Sequence, residues 1–395
     1  MRFPCVGGIS LVVLAGLLSP PPALAQARLP TRTLGKPVAE FEEPFTSVGS
    51  VRELSNGRVI VSDARDRVVQ MLDFASGEAT QVGREGQGPG EYSFPGGVFM
   101  APADTTLLYD PLNQRLLLIA PNGKPSGQHA LRREGSGPGP NISGQLRGAD
   151  ARGRLYLQAT GISMGPSGPQ TSDSVPIVRY DRGTQASDTI AFLMQAKSNT
   201  QVSGSQSNMR VMVGAANPLA PRDEWAVAPD GRVAVVRPEP YRVEWIAPNG
   251  TRTVGPAIAV PKVKVTDADK KAIERQRASG TTMIMTRNAD GPGGGSSQAR
   301  TMGARDLPPL TDWPEYKPPF VGGAAVVAPN GELWVRRTLV AGDAPPLYDV
   351  FDARGQRVAH VQLPKGTRLA GFGKASVYLI RTDADDLQYL QKYAL

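Results

Sequence analysis

The pentapeptide Gly161-Ile162-Ser163-Met164-Gly165 matches G-x-S-x-G, the pattern that exposes a nucleophilic serine on a sharp turn between a strand and a helix. Such a serine needs a base, and the base needs a carboxylate to orient it. The chain has two histidines, His129 and His360, and Asp349 and Asp352 precede the second, so the order Ser…Asp…His is present. The segment after Gly165, PSGPQTSDS, cannot begin a helix of useful length. The match is read as a surface loop, and no catalytic residue is assigned.

Metal ligation has as little to work with. The single cysteine is Cys5, and two histidines make a zinc or copper site improbable. Carboxylates cluster at Asp63/Asp66, Asp267/Asp269 and Asp383/Asp385/Asp386, but none completes a D-x-[DN]-x-[DN]-G loop. No metal site and no cofactor are expected, calcium being the one ion worth testing.

The tract REGQGPG at 84–90 could cradle a phosphate, yet the third glycine of G-x-G-x-x-G falls on Glu91 and no helix follows. The tract recurs as REGSGPG at 133–139, 49 residues on, as a joint between repeated modules would. Arg84 and Glu85, with their counterparts Arg133 and Glu134, are candidate ligand-binding residues. Asp63 with Arg67 and Asp110 with Arg115 occupy matching places and read as a repeated ion pair within each module. Arg237, Arg242, Arg336 and Arg337 fall in the corresponding region of later modules and could make one face anion-friendly, with Arg336 the candidate contact. Trp225, Trp245 and Trp334 lie in strand patterns and read as core. Trp313 and Tyr316, in a Pro-rich stretch, are the aromatics assigned to a binding surface.

The modules that must position these residues share one pattern, an Asx- or Gly-bearing turn followed by two alternating strands. Copies begin at Asn56, Asp104, Arg152, Asp230, Asn330 and Gly373. The shorter spacings, about 45 residues, suit one four-stranded blade. High Gly and Pro, 44 and 36 residues, agree with many turns. Two spacings are longer, and a polar stretch at 196–217 and residues 261–317 are read as loop insertions. In the second, Thr266 caps a helix running to Gly280, with Asp267 and Asp269 in its first turn and a narrow apolar stripe of Ala268, Ala272 and Ile273. NADGPGGGSSQ (288–298) reads as a flexible loop, and 307–320 as an extended return.

The GREGQGPGEY…FP joint, the hairpin copies and the WPEYKPPF…NGELWV return resemble bacterial six-bladed β-propellers related to NHL-repeat proteins, over about Val38 to Leu395. The resemblance implies an all-β ring with a partly helical insertion between late blades. The third blade departs from the pattern at GISMGPSGPQTSDS, and the second joint lacks the Glu-aromatic pair of Glu91-Tyr92. The last copy supplies about three strands, so pairing of 31–40 with the last blade would remove two open edges.

The N-terminus reads as a signal peptide, residues 1–25: Arg2, the apolar run Val6–Leu18 and the small-x-small site Ala23-Leu24-Ala25. No cysteine follows the apolar run, so a lipoprotein is not expected. The remainder, 26–395, is expected to be a periplasmic or extracellular propeller, monomeric and without a membrane span. A formal charge of +8 permits attraction to anionic polymers. Export and dispersed basic residues argue against nucleic acid. The sequence thus points to a non-catalytic binding or scaffold propeller whose partner is a protein or an anionic glycan. The alternative, implied by fold resemblance alone, is a metal-dependent lactonase- or lyase-like enzyme with a site on the axial channel.

Overall fold

The computed structural model describes residues 29–131, 144–159, 161–165, 168–196, 200–205, 208–213, 216–279, 281–288, 296–303, 310, 312–338 and 344–395. The signal-peptide stretch and the second Gly-rich joint, with Arg133 and Glu134, lie outside them. Alternating strands build six antiparallel sheets whose innermost strands are Val48–Glu53, Gly97–Met100, Gln145–Ala149, Glu224–Val227, Ala325–Val327 and Thr367–Phe372. The first five of these pack on one another in chain order, and the sixth returns to the first. The fold is a six-bladed β-propeller.

Both chain ends close the ring. The last blade takes three strands from the C-terminus and its outer strand from Ala39–Glu40, which pairs antiparallel with Gln388–Ala394. Closure by the N-terminal segment is therefore as the sequence implied. One detail goes further: Thr31–Thr33 runs parallel to Arg357–Gln362 and adds a fifth strand to blade five.

Inner strands approach so closely that glycine is required at two crossings. A Cβ at Gly148 would lie 3.0 Å from Val227 Cγ2, and one at Gly371 would lie 2.9 Å from Val51 Cγ2. Between blades, apolar clusters fill the gaps. Trp225, Trp245 and Trp334 are each 2% exposed, so all three are core.

Strand alternation sorts the connections onto two faces. Those joining inner to second strands, and third to outer strands, are turns of three to six residues. Five of them carry an Asx-Gly pair whose Asx side chain accepts from the amide two residues on: Asn56, Asn122, Asp230, Asn249 and Asn330. The glycine that follows each Asx sits at positive φ, as Gly57 (φ 85°) does. The strand ends that flank the longer connections, 82–96, 131–144, 159–173, 195–223, 255–324 and 337–346, all lie on the opposite face.

Both insertions contain strands where loop was expected. Residues 196–217 carry the hairpin Thr200–Ser205/Asn208–Val213, and the second insertion carries Thr281–Asn288/Ser296–Gly303. Asn208↔Asn288, Met209↔Arg287 and Arg210↔Thr286 join them into one four-stranded sheet outside the ring. Ser296–Gln298, read as flexible, are thus strand, while 289–295 lie outside the described residues. Each hairpin leaves an edge of unpaired amides, and pairing the two satisfies both. Helix α1 (Asp267–Ser279) forms as expected, with Thr266 and Asp269 exchanging a reciprocal cap.

Candidate functional site

The elaborated face holds the side chains able to meet a ligand. Inner strands begin there and second strands end there, so Glu224, Arg368 and Arg336 lie at that end of the channel wall, with Arg147, from the middle of its strand, reaching Glu224. Arg147 Nη2 pairs with Glu224 Oε2 at 3.2 Å, and Arg222 Nε lies 4.0 Å from the other oxygen. Arg368 donates to Val48 O (2.6 Å) and Gln388 Oε1 (3.0 Å), neither of them charged. Burial, with Arg336 nearby, pulls the Arg368 guanidinium below its usual range. Of the five charged side chains named here, four are arginines and one, Glu224, is a carboxylate.

Arg237 and Arg242 are committed elsewhere. Arg237 bonds Asp223 and Glu244, and Arg242 bonds Glu244 at 2.9 Å. Burial pushes Glu244 up, but the hydrogen bonds from the two arginines outweigh it and hold the carboxyl below its usual range.

Among the Gly-rich joint residues, Arg84 pairs with Glu91 (2.7 Å) and Glu85 with Arg67 (2.6 Å). The expected Asp63–Arg67 pair is therefore a misassignment. Asp63 instead accepts from the amides of Ser47, Arg65 and Asp66, pinning its turn. Arg67, at φ 55°, leans to the neighbouring joint. The Asp110–Arg115 contact does form, at 3.7 Å. The joint itself connects blades one and two, and Tyr92 is buried beneath it with its hydroxyl accepting from Val69 N (2.9 Å).

Trp313 and Tyr316 serve two different hollows. Trp313 donates to Leu310 O (3.0 Å) and faces Lys270, Lys271, Glu274 and Arg275 of α1 across an open cleft of about 600 Å³. The expected apolar stripe does not anchor this helix, since Ala268 and Ala272 are exposed. Its anchor is a buried ion pair, Asp269 Oδ1 to Lys317 Nζ at 2.7 Å. Burial pushes Asp269 up, and hydrogen bonds from Lys317 and Thr266 overcome this and hold it low.

Tyr316 lines a cavity of about 360 Å³ between blades four and five. Its walls include Pro221, Pro238, Pro240, Pro318 and Pro319 with Ile258 and Val260, and charged residues of both signs, Lys262, Lys317 and Arg337 with Glu239 and Glu315, also line it beside Thr338. Behind Arg337 stands fully buried Asp349. Its Oδ2 accepts from Tyr241 Oη (2.9 Å) and from Arg337 Nη1 (3.4 Å), with Arg357 Nη1 at 3.6 Å, and His360 Nδ1 lies 2.8 Å from Oδ1. Burial, then the Asp349 charge, pushes the Tyr241 phenol well above its usual range, so it stays a neutral donor. Sequence reasoning picked out Arg337 for its charge but missed Thr338 and this cavity, which no local pattern marks.

His360 thus meets Asp349, but Ser163 does not join them. It lies on the hairpin Ile162–Gly165/Gly168–Thr171 of blade three, two blades away. Asp352 caps its own turn. His129 is held below its usual pKa by burial and then by Arg182. Among the described residues no group of three or more His, Cys, Asp or Glu side chains could hold a metal ion, and no helix is long and apolar enough to cross a membrane.

The class defined by this architecture is the six-bladed β-propeller. No protein-family model matches the sequence, and no curated protein matches it. Among solved structures the chain is similar to a member of the DUF4221 family from Bacteroides vulgatus, at 9% identity and TM-score 0.44, covering 91% of this chain and 94% of that one. It is also similar to virginiamycin B lyase from Staphylococcus aureus, at 11% identity and TM-score 0.38, covering 90% and 98%. A calcium-binding regucalcin from Agrobacterium tumefaciens follows at 14% identity and TM-score 0.34, covering 92% and 96%. Likeness this distant carries no argument about activity.

Proposed function

We propose that this chain is an exported, non-catalytic binding propeller of the NHL-related kind, presenting its elaborated face to an anionic ligand or to a protein partner. One observation carries the reading: the strand ends that bear the long connections all lie on one face, while the other is built of turns of three to six residues. A rigid ring with loops on one side is how scaffolds display recognition surfaces. That face also carries the arginines of the channel mouth and the cleft of Trp313, Lys270, Lys271 and Arg275, whose one carboxylate, Glu274, pairs with Arg277. An indole offers a flat apolar platform, and flanking cations suit carboxylates or sulfates.

The test is retention on immobilised polygalacturonate and heparin across a salt gradient. Charge reversal at Lys271 and Arg275 should release the protein at lower salt, since such contacts are screened. Reversal at Lys124, on the turn face, should change nothing. Equal sensitivity of both faces would show that net charge alone is responsible and would overturn the reading.

A further inference from the structure

The cleft between α1 and the extended return sets one flat apolar surface opposite exposed cations. Backbone bonds stitch its two walls together, Val265 N to Glu315 O (3.0 Å) and Lys317 N to Val263 O (2.8 Å), beside the buried Asp269–Lys317 pair. The indole N–H of half-buried Trp313 already donates to Leu310 O, so what the ring offers a ligand is its apolar face and not a donor. Across from it the charges divide. Glu274 is taken by Arg277, and Lys270 leans to Asp267. Lys271 and Arg275, both exposed, are left without a carboxylate partner among the described residues. Four positions apart on a helix, these two cations stand about 6 Å from each other along its axis. Asp312 and Glu315, on either side of Trp313 in the return, do not line the cleft.

We propose that this cleft binds an acidic polysaccharide, one uronate ring stacking on Trp313 and carboxylates of the same chain received by Lys271 and Arg275. The inference rests on the binding-propeller reading and names the ligand class of that face. Openness selects a sugar over a more apolar anion. Apart from the indole the lining is charged side chains, so a wholly apolar body would stay largely in water. A pyranose ring buries one C–H face against the indole and keeps its hydroxyls hydrated. Two cations a helical turn apart suit more than one carboxylate, which successive uronates supply, and both side chains donate charge-assisted hydrogen bonds to them. A run of Asp or Glu in a protein would satisfy the two cations but makes no use of a flat indole.

The test is calorimetric titration of the protein with short oligogalacturonate, oligomannuronate and hyaluronan fragments, each beside its methyl ester, and with poly-L-glutamate of matched charge. At least one uronate should saturate a single site, with its ester weaker by about tenfold, because charge-assisted bonds are lost. Poly-L-glutamate should also bind about tenfold more weakly than that uronate. Trp313→Leu, which keeps apolar bulk without a flat ring, should weaken the uronate about fivefold and leave poly-L-glutamate unchanged. Lys271→Gln combined with Arg275→Gln lies on an exposed helix face, so it should spare the melting temperature while abolishing the preference for acid over ester. Absence of binding by all three uronates, equal binding of acid and ester, poly-L-glutamate binding as tightly, or unchanged affinity in Trp313→Leu would overturn the proposal. Column retention of the charge-reversal variants, run on the same preparations, separates the two ideas. Retention that depends on Lys271 and Arg275 without ring-dependent uronate binding sinks the polysaccharide alone, whereas equal sensitivity of the turn face sinks the wider reading.

Discussion

Glu40 and Arg381, 341 residues apart in the chain, meet in a two-pronged ion pair that ties the N-terminal strand to the last blade. Arg381 Nη2 lies 2.7 Å from Glu40 Oε1, and Nε lies 3.0 Å from Oε2. The guanidinium also sits 4.3 Å over the Tyr389 ring. The pair bonds side chains across a seam where the ring would otherwise present an open edge.

That closure should be acid-sensitive. The hydrogen bond from Arg381 holds Glu40 below its ordinary value of 4.5, against some burial and with help from Gln391. A depressed carboxyl contributes stability that is present above its unfolded pKa and is lost as pH falls through the folded one. The melting temperature should therefore drop below about pH 4.5. In Arg381→Gln that drop should be shallower and the neutral-pH stability lower. An unchanged acid slope in the variant would assign the sensitivity elsewhere.

Gly148 has no room for a side chain against Val227. Gly148→Ala should destabilise the protein by about 1–3 kcal/mol, the usual range for overpacking. Adding Val227→Ala should return part of that loss. Denaturant unfolding of the single and double variants decides it, and a purely additive pair would mean the two side chains do not compete.

Helix α1 should detach locally when its buried pair is broken. In Asp269→Ala the Lys317 contact and the carboxylate half of the cap on Thr266 are gone, while the amide of residue 269 still donates to Thr266 Oγ1; removing one partner of a buried pair costs roughly 3–5 kcal/mol. Hydrogen exchange across 267–279 should accelerate, with the strands of the ring keeping their protection. Uniform loss of protection would show instead that the insertion supports the ring.

Iodide should quench one tryptophan. Of the four in the chain, three are 2% exposed, while Trp313 stands at the basic cleft. Trp313→Phe should remove most of the iodide-quenchable fluorescence, and Lys271→Glu should weaken quenching by repelling the anion. Persistent quenching in Trp313→Phe would place an accessible indole elsewhere.

Much of the architecture was legible because it is local. An Asx-Gly turn such as Asn56-Gly57 fixes its own geometry within three residues, and alternating apolar positions then commit the flanking segments to strands. Repetition of that unit sets the blade count. Helix α1 was equally legible, since Thr266 and Asp269 cap each other within one turn. The buried indoles followed from strand alternation.

What the sequence left open depends on residues brought together by ring closure. Arg67 lies four positions from Asp63, yet it turns to Glu85 because Asp63 is consumed by its own turn's amides. The Asn208↔Asn288 pairing joins two insertions that carry no mark of one another. Arg337 and Thr338 acquire meaning only from the walls around them, supplied by four separated segments of chain. Local chemistry specifies turns and strands, but a cavity's contents are set by the angle at which successive blades meet, and that angle belongs to the whole ring.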